Sequence, residues 1–196
     1  HGIEVLLQLR QGRRRGALAG NGRLITAPLA ILFSRLPLKL PRLERQVPMA
    51  TNTIRLHRVL RASPEKVYRA FIDPDAIVKW LPPHGFTAKV HHLEARVGGT
   101  YRMSFTNFST GHGNSFGGEY LELVPGERIR HTDKFDDSNL PGEMQVTVSL
   151  KKVSCGTELS IVQEGVPEVI PPEACYLGWQ ESLTLLAQLV EAQIPV

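Results

Sequence analysis

PPEACYLGWQESLTLLAQLVE, residues 171–191, is the stretch on which the fold turns. Pro171-Pro172-Glu173 is a helix start, because proline's fixed φ suits the first turn and a carboxylate suits the positive end of the helix dipole. Beyond it Trp179, Leu183, Leu186 and Val190 recur at helical spacing, and Leu189 widens the stripe. The spacing predicts one long amphipathic helix. A helix of about 20 residues spans about 30 Å, the width of a small sheet. Its apolar face needs a cover, and the preceding chain must supply it.

Working back from that helix, the sequence alternates. Thr157–Glu164 sets Leu159, Ile161 and Gln163 on one face, and Glu143–Lys151 does the same with Met144, Val146, Val148 and Leu150. Arg128–Asp136 places His131, Asp133 and Phe135 together, and Thr100–Asn107 places Tyr101, Met103 and Phe105 together. Gly117–Val124, Phe86–Ala95 and Thr53–Ala62 read as further strands. Gly98-Gly99, Pro125-Gly126, Ser138–Gly142 and Cys155-Gly156 punctuate them, the pattern of an antiparallel meander. Phe108–Ser115 reads as a glycine-rich loop, placed to act as a lid. After the first strand, Ser63-Pro64-Glu65 and Asp73-Pro74-Asp75 are two helix starts, the second helix running through Trp80 to a stop at Pro82-Pro83. The fold class is therefore α+β: a curved antiparallel sheet wrapped around a long C-terminal helix, with two short helices after the first strand.

Charge divides the chain. The net charge is +4, yet the first 48 residues hold nine Lys/Arg against two Asp/Glu, and the remainder 14 against 17. The basic excess thus belongs to the leader, and the domain carries no nucleic-acid signature. We expect residues 1–48 to be a disordered or non-native basic leader and residues 49–196 to be one domain. The latter is long enough to bury a core without metals or disulfides. No stretch reaches the roughly 18–20 uninterrupted apolar residues of a membrane span. The two cysteines, Cys155 and Cys175, form no metal-ligand spacing, and the plain reading is a reducing, cytoplasmic setting.

Specific words match a known family. Ser63-Pro64-Glu65-Lys66-Val67-Tyr68, with Asp73-Pro74 and Trp80 after it, resembles the family's opening. Arg96-Val97-Gly98-Gly99-Thr100-Tyr101 resembles its hairpin, and Gly118-Glu119-Tyr120-Leu121-Glu122 with Pro125-Gly126-Glu127-Arg128 its central strand and turn. Gly156-Thr157-Glu158-Leu159 and Gly178-Trp179 through Leu186 resemble its last strand and helix. Five words in collinear order identify a resemblance to homologues of the heat shock protein 90 ATPase activator, C-terminal-domain type, within the START-like (SRPBCC, helix-grip) superfamily. Members of that superfamily bind lipids, hormones or polyketides, and some catalyse cyclisation. The resemblance implies a hydrophobic small molecule held between the sheet and the C-terminal helix. It also admits a chaperone-associated interaction module of the stress response, or a cyclase- or hydrolase-like enzyme using the same cavity. Fold alone does not choose among them.

Alternation supplies the candidate lining: Tyr101, Met103, Phe105, Met144, Val148, Leu159, Ile161, Trp179, Leu183 and Leu186 face inward, with Trp80 and Phe86 closing one end. The same residues would equally pack a dry core. The polar residues on inward faces are more telling, because burial is costly unless they find partners. Those are Gln163, His131 and Asp133, beside Phe135. His131 near an inward carboxylate suits a general base or a ligand anchor, and equally a hydrogen-bonded structural histidine. No cofactor or metal site is expected: His91-His92 face opposite sides of a strand, and no HExxH or paired-carboxylate motif occurs. The Gly111–Gly117 run leads into a strand, so it offers no helix N-terminus to a phosphate. The expected state is a monomer or weak homodimer.

Overall fold

The computed structural model describes residues 51–193. The expected leader over residues 1–48 lies outside the described residues. Seven strands form one antiparallel sheet: β1 Thr51–Leu60, β2 Phe86–Leu93, β3 Thr100–Asn107, β4 Gly113–Val124, β5 Arg128–Phe135, β6 Met144–Val153 and β7 Gly156–Pro167. Their spatial order is β1-β7-β6-β5-β4-β3-β2, so every neighbour except β1 follows in sequence. Register shifts lie at Asn52/Ile54, Val90/His92 and Tyr120/Glu122. Each inserts an extra residue that bends its strand, and together they curl the sheet.

Three helices complete the chain: α1 Pro64–Ile72, α2 Pro74–Trp80 and α3 Pro172–Glu191. The expected starts are the observed caps. Ser63 Oγ accepts from Lys66 N at 3.3 Å, and Asp73 Oδ1 accepts from Asp75 N and Ala76 N at 2.9 and 3.2 Å. Trp80 locks the two short helices together. Its indole N–H donates to the Ala70 carbonyl at 2.8 Å, and its ring meets Phe71 edge-on at 4.7 Å. The helix-grip plan follows, with α3 packed against β1, α1 and α2 on the inner side of the sheet. The Pro125-Gly126 turn is of the proline-then-glycine kind, with Gly126 at φ +71° and Glu127 N donating to Val124 O at 3.0 Å.

Two details differ from the sequence reading. The loop expected over Phe108–Ser115 is shorter, because β4 begins at Gly113 and pairs there with Thr106. The buried Asn107 side chain closes the remaining turn by accepting from Ser109 N and Thr110 N at 2.9 and 3.0 Å. Leu189, expected to widen the helix stripe, is exposed; the buried face runs through Ala174, Ser182, Leu183, Leu186, Ala187 and Val190.

Candidate functional site

The inner faces of β3, β4, β5, β6 and β7 converge on α3 without filling the space between. A cavity of about 190 Å³ remains, far more than one water needs. From the sheet it is lined by Tyr101, Met103 and Phe105 of β3, Asn114, Phe116 and Tyr120 of β4 with His112 just before it, Ile129, His131, Asp133 and Phe135 of β5, Met144, Val146 and Val148 of β6, and Gln163 and Val166 of β7. From α3 it is lined by Ala174, Cys175, Gly178, Trp179 and Ser182. Phe71, Ile77, Trp80, Leu81, Pro83 and Phe86 close one end, and Leu140 and Ile170 come from connecting loops.

Aromatic rings hold the walls apart. Phe116 is edge-on to both Phe105 and Phe135, at 4.9 and 6.2 Å, and Tyr101 and Tyr120 lie 5.6 Å apart. Rings propped edge to face cannot slide together without losing that geometry. A polar tie joins sheet to helix: Trp179 Nε1 donates to Gln163 Oε1 at 2.8 Å, and Gln163 Nε2 lies 3.3 Å from Met144 Sδ. Ser182 Oγ lies 2.7 Å from the Leu81 carbonyl, fastening α3 to the segment after α2.

One cluster on the wall is chemically different. The Tyr101 hydroxyl donates to the Thr132 carbonyl at 2.9 Å and lies 3.1 Å from His131 Nδ1, which is itself 3.0 Å from that carbonyl. The His131 ring meets Tyr101 edge-on at 5.3 Å and Tyr120 at 6.0 Å. Burial pushes the His131 imidazole below its ordinary range, so it is neutral at physiological pH. Asp133 follows two residues on, on the same face. Burial pushes its carboxyl up to about 7, against the Tyr101 hydroxyl and the Lys134 amide, which pull it down. Its Oδ1 is sealed from solvent and has no hydrogen-bond partner. Both residues are half-buried and line the cavity. Burial raises the Tyr101 hydroxyl well above its usual value, with Asp133 adding to it, and raises Tyr120 to about 12 and the Cys175 thiol to about 11.

Gly118 makes this cluster possible. A Cβ there would collide with the Thr132 carbonyl oxygen, the acceptor on which Tyr101 and His131 converge.

Of the residues singled out from sequence, Trp80, Phe86, Tyr101, Met103, Phe105, His131, Asp133, Phe135, Met144, Val148, Gln163 and Trp179 are brought together around the cavity. Leu159, Ile161, Leu183 and Leu186 are a correction. They face inward into the main core and are not among the residues that line the cavity. They belong to one packed cluster, in which α3 lies against β1. Phe116, Tyr120, Ile129 and Ser182 line the cavity and were not foreseen. For Phe116 and Tyr120 the signal was their shared parity in β4, which the paired glycines between them and the expected strand start at Gly117 obscure. Among the described residues no group of three or more His, Cys, Asp or Glu is placed to hold a metal, and no helix is long and apolar enough to cross a membrane.

Comparison with known proteins places this architecture. A family model described as activator of Hsp90 ATPase homolog 1-like protein matches residues 61–191. A crystal structure of a protein from Chromobacterium violaceum is 65% identical, covering 72% of this chain and 99% of that one, with a TM-score of 0.72. A protein from Rhodobacter sphaeroides (23% identity, 70% and 90% covered, TM-score 0.62) and one from Nitrosomonas europaea (20%, 70% and 92%, TM-score 0.61) share the fold. No curated protein matches the chain.

Proposed function

Since this chain belongs to the activator of Hsp90 ATPase homolog 1-like family, of the START-like kind, we propose that it is a small-molecule-binding module. Its ligand is a hydrophobic molecule held between the sheet and the first half of α3. The observation that carries this reading is the cavity of about 190 Å³, walled mostly by apolar and aromatic side chains, with His112, Asn114, His131, Asp133, Gln163 and Ser182 as its polar groups. Ligand sites have that composition: apolar walls and a few polar groups that fix orientation. The two cysteines are free, which suits a reducing cytoplasm. The cavity's lining comes from this one chain, and the module is expected to act as a monomer or weak homodimer.

The test is native mass spectrometry of the protein purified from its source. The expected result is a mass excess that persists under gentle ionisation and disappears on denaturation. A bare chain mass, together with a melting temperature unmoved by a panel of apolar compounds, would refute the reading.

The Tyr101, His131 and Asp133 cluster favours a second reading, an enzyme of the cyclase or hydrolase kind. A neutral imidazole and a carboxyl that titrates near neutrality are suited to exchange protons with a bound molecule. Turnover of the co-purified ligand, lost in His131→Gln with binding retained, would favour it over storage or transport. The family description supports a third, a chaperone-associated role in stress. The exposed apolar residues Val97, Phe108, Val169 and Leu177 are the surface available for it.

A further inference from the structure

Building on the cavity reading above, we infer that the cavity takes an apolar ammonium: a small hydrocarbon body, lying against the aromatic wall, with one protonated amine paired to the Asp133 carboxyl. The inference names the ligand's chemical class, and three observations carry it.

The first is an unsatisfied oxygen. Asp133 sits in the cavity wall with one carboxyl oxygen that no protein group satisfies. The Tyr101 hydroxyl and the Lys134 amide already favour the ionised carboxyl, and the oxygen left over lacks a donor. The second is the absence of a counter-ion: no Lys or Arg is among the residues lining the cavity. Lys134, next in sequence, is exposed on the opposite face of β5. An acidic ligand would therefore meet a like charge with nothing to offset it, and a purely hydrocarbon ligand would leave the carboxyl as it is. The third is the aromatic wall. Tyr101, Tyr120, Phe105, Phe116 and Phe135 stand around Asp133's end of the cavity, and their π faces attract cations, most strongly away from water. A carboxylate within an aromatic enclosure is complementary to an ammonium on both counts.

The other ionisable groups lining the cavity are Tyr101, Tyr120, Cys175, His131 and His112. Tyr101 from β3, Tyr120 from β4 and Cys175 from α3 are all raised by burial and stay neutral. His131 on β5 is lowered by burial and stays neutral as well; His112, from the turn before β4, lines the cavity from an exposed position, so Asp133→Asn is what isolates the carboxyl's share of the pH dependence. An ammonium binds the ionised carboxyl, so binding strengthens as pH rises through about 7 and releases a proton below it.

The experiment is calorimetric titration of the full chain with phenethylamine, phenethyl alcohol and ethylbenzene, which share one skeleton. At pH 8 the amine is expected to bind about tenfold or more tighter than the alcohol, the increment of a charge-assisted hydrogen bond. Lowering the pH from 8 to 6 should weaken the amine about tenfold and leave ethylbenzene unchanged. Asp133→Asn should bring the amine down to the alcohol's level while ethylbenzene binds as before, which also shows that the variant is folded. If it does not fold, the pH dependence of the unaltered chain decides alone. Ethylbenzene or the alcohol binding as tightly as the amine at pH 8 would overturn the ammonium and spare the cavity reading. Failure of all three to bind would overturn both.

Discussion

The two halves of α3 have the same periodicity and opposite fates. In the C-terminal half Leu183, Leu186, Ala187 and Val190 are at most 7% exposed and share one packed cluster with Leu60, Val67, Leu159 and Ile161. In the N-terminal half Ala174, Cys175, Gly178, Trp179 and Ser182 face the sheet and enclose space. The inward residues of the first half are small except for Trp179, and those of the second half are mostly large. The sheet completes the contrast: β1 and β7 bring aliphatic side chains up to the second half, whereas rings on β3, β4 and β5 brace one another opposite the first. A hydrophobic stripe thus says which side of a helix turns inward. Side-chain volume decides whether that side is filled.

The contrast is broken or confirmed most forcefully at Leu186, which is fully buried and lies outside the cavity wall. Leu186→Ala should cost about 2–5 kcal/mol, the lost transfer energy plus the hole left behind. Urea denaturation measures it. A cost below about 1 kcal/mol would mean that the second half has slack of its own and that the division is false.

Most of the fold was legible because its rules are local. Caps at Ser63 and Asp73, turns at Pro125-Gly126 and Cys155-Gly156, and the period-two alternation of β3, β6 and β7 all act within a few residues, and the strands fall within a few residues of their expected bounds. The cavity was only half legible. Alternation put His131, Asp133 and Gln163 on inward faces, where the structure has them. It could not separate Leu159 and Ile161, which touch the helix, from Met144 and Val148, which touch space, because periodicity carries direction and not depth. The residues missed on β4 have a different cause: Gly117 and Gly118 carry no side chain to mark the faces between Phe116 and Tyr120, and the strand begins several residues before Gly117. The smallness of Ala174, Cys175, Gly178 and Ser182 was a readable signal. It acquires meaning only once the opposite wall is known.

A middle-sized effect tests the polar side of the same contrast, since the packed half has no counterpart to Asp133. Its folded value of about 7 stands above the unfolded value of about 3.9, so the fold prefers the neutral acid. Below pH 4 both states hold the proton and no penalty exists. Between about 4 and 7 the unfolded chain ionises first and stability falls with rising pH, to a plateau above 7, by about 2–4 kcal/mol. His131 acts with the opposite sign: its folded value is lowered, so stability falls as pH drops below about 6.5. Comparing the unaltered chain with Asp133→Asn isolates the carboxyl. The two should coincide near pH 4, and the variant should be the more stable by pH 8. A difference that does not vary with pH would show that the carboxyl is solvated and that the two halves of the helix are electrostatically alike.

The smallest effect is the most diagnostic, because its sign depends on empty space. Gly178 lies inside α3 on the cavity side, and a Cβ built there meets no atom within 4 Å. A glycine inside a helix costs roughly 0.5–1 kcal/mol relative to alanine. Gly178→Ala should therefore raise stability by about that amount, with nothing to push against. In the packed half the reverse holds: enlarging Ala187, 7% exposed in the main core, to leucine should destabilise by about 1–3 kcal/mol through overpacking. A glycine retained at Gly178 against its own helical cost is accounted for if the cavity's occupant lies close to the backbone there. Gly178→Leu separates the two demands: it should leave the thermal unfolding midpoint near or above that of the unaltered chain while weakening the binding of ethylbenzene. A protein that loses stability with Gly178→Ala would show that the wall beside Gly178 is already closed, and the distinction between the two halves would have to be drawn elsewhere.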